Sequence, residues 1–124
     1  MTDRKILLAD CDAYFVQVAK LEDPEGAGQE ELLIVGGAAD HRGVVTSASY
    51  ACRAFGVRSG MPTSQALRLC PRAVLVGVPR GACSRKHGEI REILLKYTPL
   101  VESASIDEFY LDLTGTEQVH RTED

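Results

Sequence analysis

With 124 residues, 44% of them hydrophobic and 26% charged, the chain has the bulk of one globular domain or of a piece of a larger protein. No apolar run approaches the ~18 residues that a membrane helix needs, and the N-terminus lacks the apolar core of a signal peptide. A net charge of −4 argues against a simple DNA-coating protein.

"KILLA" (5–9) predicts a short strand in which Leu7 and Leu8 anchor the middle of a sheet, and "DAYFVQVAKL" (12–21) predicts a helix capped by Asp12. A polar Pro/Gly loop leads to "LLIVGG" (32–37), a buried strand ended by glycines. "GVVTSAS" (43–49) is a second strand after a turn. "YACRAF" (50–55) is a short helical segment closed by Gly56, and "PTSQALRLC" (62–70) is another helix opened by proline. "AVLVGV" (73–78) reads as a strand. "SRKHGEIREILLKYT" (84–98) reads as the longest helix, with Ile90, Ile93, Leu94 and Tyr97 on one face. "VESASIDEFYLDLTG" (101–115) alternates on both sides of Asp107-Glu108, so it reads as a hairpin turning at that pair. The order β-α-β-β-α-α-β-α-β-β is α+β.

The average charge hides a segregation. Eight of the 14 basic residues lie between His41 and Gly88, a stretch without Asp or Glu, so all 18 acidic residues fall outside it. Such a stretch suits an anionic partner such as phosphate, or is solubility charge unevenly spread. Cys11, Cys52, Cys70 and Cys83 make neither a CxxC pair nor a zinc spacing, which points to free thiols in a reducing compartment, the cytoplasm.

Carboxylates stand at the end of two strands, Asp10 and Asp12 after the first and Asp107 and Glu108 at the hairpin. If the strands are neighbours, three or four like charges meet, and a hard divalent cation resolves the conflict with oxygen ligands. Two such ions support in-line phosphoryl transfer. Taken singly, Asp12 reads first as a helix cap, and an Asp-Glu pair reads as a turn as readily as a site.

Three motifs, "ADCDAYFVQVAKLEDPE", "GVVTSASYACRAFGVRSGMPTSQALRLCP" and "YTPLVESASIDEFYLDLTG", keep the order and spacing of the N-terminal part of Y-family, translesion DNA polymerases over roughly residues 5–116. The chain resembles that family. The resemblance implies a partial ferredoxin-like polymerase palm (1–11 and 78–124) with a small inserted fingers subdomain (12–77). It implies a DNA-directed DNA polymerase that joins a dNTP to a primer 3′-hydroxyl by two-metal catalysis. The cofactor is two Mg²⁺ ions, with Mn²⁺ as a substitute, and the partners are primer-template DNA, dNTP and, through further regions, a sliding clamp.

Residue by residue, the resemblance makes Asp10, Asp107 and Glu108 the metal-binding carboxylates and gives the backbone carbonyl of Cys11 a metal contact. Phe15 becomes the steric gate against a 2′-hydroxyl. Ser47, Tyr50 and Arg53 become nucleotide-binding residues, Ser47 replacing a common Thr. By spacing alone Phe15 is a core aromatic, Tyr50 a half-buried ring and Arg53 a solvent-facing charge. Tyr14 reads as packing.

The family usually starts its long palm helix with Tyr where Cys83 stands here, and "SRKHG" is unusual there. The match ends before the family's phosphate-binding Lys, thumb and little finger, so the fragment alone is expected to be inactive. The alternatives are a non-catalytic polymerase-like accessory or scaffold protein, whose relatives have lost the carboxylates, and a nucleotidyl cyclase, which lacks the fingers motif.

Overall fold

The structure is a computed structural model and describes residues 5–11 and 13–114. Its strands are β1 (Ile6–Asp10), β2 (Leu33–Gly36), β3 (Val45–Ala48), β4 (Val74–Val76), β5 (Val101–Ser105) and β6 (Glu108–Asp112). Its helices are α1 (Tyr14–Glu22), α2 (Tyr50–Arg53), α3 (Thr63–Leu69) and α4 (Arg80–Leu94), in the order the sequence predicts. The chain divides into two compact units, Met1–Asp12 with Ser84–Asp124, and Ala13–Cys83. The second unit runs past the boundary expected at residue 78, and within it the buried Tyr14 hydroxyl donates to the Cys83 carbonyl.

The first unit is built on an antiparallel sheet of order β1-β6-β5. Alternation is visible on β6, where Phe109 and Leu111 are buried and Tyr110 faces out. Among the described residues the middle strand is β6, not β1 as expected. Ile6, Leu7 and Leu8 lie on an edge strand and are each about half exposed (51, 51 and 46%), because β1 pairs only with β6 among the described residues.

The hairpin turns at Ile106-Asp107, one residue earlier than predicted, and Glu108 is already the first residue of β6. A register irregularity between Ser103 and Ser105 absorbs the difference and brings Ser105 opposite Glu108. The long helix α4 begins at Arg80, four residues before the predicted start, and the Cys83 amide donates to the Pro79 carbonyl in its first turn. Gly81 lowers the helix propensity of its first turn, which is why the sequence alone places its start later.

In the second unit β2 is the middle of a mixed sheet, antiparallel to β3 and parallel to β4. All four β2 residues are buried, which explains an apolar run without alternation. Ile34 enters a cluster with Val45, Ala48, Cys52, Val57, Ala66 and Cys70. Leu33 and Val35 enter another with Val16, Ala19 and Ala27, so α1 covers one face and α2 with α3 the other. Each fully buried branched side chain contributes about 1.5–3 kcal/mol.

Helix α1 starts from Ala13 in the left-handed region (φ 47°) with no side-chain cap. Asp12, the predicted cap, lies outside the described residues, and the cap position belongs to Ala13. Gly56 (φ +94°) turns the chain out of α2 two residues beyond the cap residue Ala54, at an angle that side-chain-bearing residues rarely adopt.

Candidate functional site

Antiparallel pairing of β1 with β6 sets Asp10 directly opposite Glu108. One residue further, the Cys11 amide donates to the Asp107 carbonyl at 2.8 Å, so the pairing continues past the strand end and binds the turn to β1. Asp10, Asp107 and Glu108 therefore share one end of one sheet. The Ser105 hydroxyl lies 3.0 Å from Asp107 Oδ1 and 2.8 Å from Glu108 Oε1. A hydroxyl has one proton to donate, so it serves one of these oxygens at a time and leaves the other to a second donor or a cation.

The Cys11 thiol reports the local charge. Burial raises its pKa first, and the negative charges of Asp107 and Asp10 raise it further. A protonated thiol is no ligand for a hard cation, whereas the carboxylates and the main-chain carbonyl offer oxygen. Among the described residues no three His, Cys, Asp or Glu side chains gather closely enough to hold a metal ion, so the three carboxylates share a sheet end without forming a ready-made site. Carboxylate and main-chain oxygens are the donor type that a hard divalent ion takes, with its remaining ligands from water or phosphate.

The other predicted residues belong to the second unit. Tyr14 is buried, and Phe15 meets it edge to face with ring centroids 5.6 Å apart. Phe15 is half-buried against the Leu33–Val35 cluster, so its ring is held while part of it stays accessible. Tyr50 is 58% exposed, and the Arg53 guanidinium lies 4.6 Å from its ring centroid. Arg53 Nε donates to the Ala48 carbonyl at 3.0 Å, which anchors the guanidinium to the end of β3. Ser47 is buried on β3 opposite Val35. Tyr50 also lines a cleft of about 320 Å³ with Ala13, Val16, Gln17, Lys20 and Ser49, a cleft that neither Phe15 nor Arg53 reaches.

The profile of the impB/mucB/samB family matches residues 9–124. The chain belongs to that family. Family relatives include DNA polymerase IV of Staphylococcus epidermidis, 46% identical over 114 residues (92% of this chain and 32% of that protein). DNA polymerase IV of Desulfatibacillum aliphaticivorans is 47% identical over 116 residues (94% and 28%). Among solved structures, a post-insertion binary complex of Dbh DNA polymerase superposes with a TM-score of 0.80 at 31% identity, covering 93% of this chain and 33% of that one. DinB from Sulfolobus solfataricus gives 0.77 at 32% identity, covering 87% and 31%. The fold is thus that of a Y-family palm and fingers. The chain spans about a third of the length of the curated relatives it matches.

Two side chains in this family member escaped the sequence reading. Ser49 caps α2: its Oγ accepts from the Cys52 amide (3.4 Å) and from the buried Leu33 amide (3.1 Å). A serine directly before a helical stretch is the signal that could have found it. Ser105 is the second, and its signal is a short hydroxyl side chain two residues before the first carboxylate of the turn.

Proposed function

We propose that this chain supplies the metal-binding and nucleotide-binding part of a translesion DNA-directed DNA polymerase, which adds a nucleotide from a dNTP to a primer 3′-hydroxyl and releases pyrophosphate. The observation that carries the reading is the opposition of Asp10 and Glu108 with Asp107 beside them at one sheet end. Supporting it are relatives named DNA polymerase IV and a solved relative described as an insertion ternary complex of a DNA polymerase.

In this reading the carboxylates of Asp10, Asp107 and Glu108 and the carbonyl of Cys11 hold two divalent ions, Mg²⁺ with Mn²⁺ as a substitute. Ions held there would supply Lewis-acid activation of the attacking hydroxyl and compensation of charge on the leaving oxygens. Ser105 keeps the two hairpin carboxylates turned toward a common point. Arg53, held through Nε, offers its terminal nitrogens to the triphosphate as a planar fork, and Tyr50 offers its exposed hydroxyl beside it. Ser47 is assigned to the same site; it is buried on β3 next to Ala48, whose carbonyl anchors Arg53. Phe15, braced by Tyr14, is the flat surface that leaves no room for a 2′-hydroxyl.

The protein works in the cytoplasm on primer-template DNA. Its contact with a sliding clamp belongs to the two thirds of the relatives outside this match. No helix among the described residues is long and apolar enough to cross a membrane. Primer extension by the full-length protein tests the proposal: Asp107→Ala or Glu108→Ala abolishes incorporation. Normal extension by either variant overturns it.

A further inference from the structure

We infer that His87 is a positioning residue that clamps the carboxylate turn of the first unit. The inference rests on the reading of Asp107 and Glu108 as cation ligands. Three contacts carry it. His87 Nδ1 lies 2.7 Å from the carbonyl oxygen of Ile106, the residue before Asp107. Its Nε2 lies 3.2 Å from the Ser103 hydroxyl. Its ring stacks on Phe109, the residue after Glu108, with centroids 4.6 Å apart and planes 21° from parallel. One imidazole from α4 thus grips both residues that flank the Asp107-Glu108 pair.

The protonation pattern follows from the partners. A carbonyl oxygen only accepts, so Nδ1 carries a proton and donates to Ile106. In the neutral ring Nε2 then accepts from the Ser103 hydroxyl. Phe109 is fully buried, so the stack ties the ring to the core of the unit. The clamp falls where the sheet is least regular, because the ladder slips between Ser103 and Ser105. The β1 side of the turn is fixed by the Cys11–Asp107 hydrogen bond, but the β5 side has no regular ladder to hold it, and ligand oxygens need placement to within about 0.5 Å to bind an ion well. On the β5 side His87 does for the turn what the irregular ladder does not.

The test uses the full-length protein with His87→Ala, His87→Asn, Phe109→Leu and Asp107→Ala. The readouts are Mn²⁺ affinity of the metal-free protein by electron paramagnetic resonance, amide exchange of residues 103–109 and Cys11, and primer extension against cation concentration. His87→Ala is expected to weaken Mn²⁺ binding about tenfold or more, the usual effect of removing a group that orients a ligand. It also speeds exchange at Cys11, whose amide bonds Asp107, and raises the cation requirement of extension while the KM for dNTP holds. His87→Asn keeps a donor toward Ile106 and restores most of the affinity. Phe109→Leu, which keeps an apolar side chain there but removes the ring that His87 stacks on, weakens binding by a smaller factor.

Unchanged Mn²⁺ affinity and exchange in His87→Ala overturn the inference, as does an Asn variant no better than the Ala variant. If His87→Ala fails to fold, wild-type affinity and exchange in both His87→Asn and Phe109→Leu overturn it instead. Asp107→Ala with undiminished Mn²⁺ affinity overturns the ligand reading itself, a result distinct from failure of the clamp.

Discussion

Asp10 on β1 and Glu108 on β6 are direct cross-strand partners, and two like charges so placed repel when no cation stands between them. Glu108→Gln removes that repulsion and keeps an oxygen for the Ser105 hydroxyl. It should raise stability in chelator by about 0.2–1 kcal/mol while abolishing primer extension. Thermal melting with and without divalent cation checks this. An equal melting temperature for both proteins in chelator places the two charges too far apart to interact.

Phe15→Val should lower discrimination between dNTP and rNTP on the order of 10–100-fold in kcat/KM, by opening space at the sugar. Because Phe15 is only half-buried, the cost in stability is smaller than for a fully buried ring. Single-nucleotide incorporation with matched dNTP and rNTP measures it. A ratio that stays at the wild-type value returns Phe15 to packing alone.

Arg53→Lys keeps the charge but loses the planar fork, the Nε bond to Ala48 and the stack on Tyr50. A charge-assisted hydrogen bond is worth about 1.5–3 kcal/mol, so the KM for dNTP should rise roughly 10–100-fold. Steady-state kinetics over a dNTP series decides it, and an unchanged KM removes Arg53 from the triphosphate site.

Ser49→Ala takes away an acceptor shared by Leu33 and Cys52. The Leu33 amide is then buried without that acceptor, at a cost of about 1–3 kcal/mol. Urea unfolding of the variant should show a lower midpoint with an unchanged slope. A midpoint equal to wild type shows that solvent reaches the Leu33 amide.

Two thiols predict a pH dependence. Burial raises the pKa of Cys52, and burial with repulsion from Glu22 raises that of Cys83, both above the ordinary 9.0. Below 9.0 both states are protonated and the stabilising contribution is fully present. As pH rises above 9.0 the unfolded chain releases protons that the folded one keeps, and stability falls until the folded thiols ionise as well. Melting curves across the alkaline range should show this limb, and Cys83→Ala should flatten it while lowering the melting temperature at neutral pH. An equally steep limb in the variant assigns the loss to other groups.

The sequence by itself determined the kind and order of the elements, because apolar periodicity, caps and glycines are local signals. It also marked Asp10, Asp107 and Glu108, since carboxylates at strand ends are visible along the chain, whereas Tyr50 and Arg53 stood out only through the resemblance to Y-family polymerases. Local signals stop at contacts set by register and packing. The one-residue shift of the turn, the opposition of Asp10 to Glu108 and the sharing of Ser105 between two carboxylates depend on how β1, β5 and β6 pair. That β1 pairs only with β6 among the described residues was equally hidden, since "KILLA" has the same composition at the middle or the margin of a sheet. His87 carried no signal of its own in a helix of mixed charge. Only the packing of α4 on the hairpin set its ring on Phe109 and its nitrogens on Ile106 and Ser103.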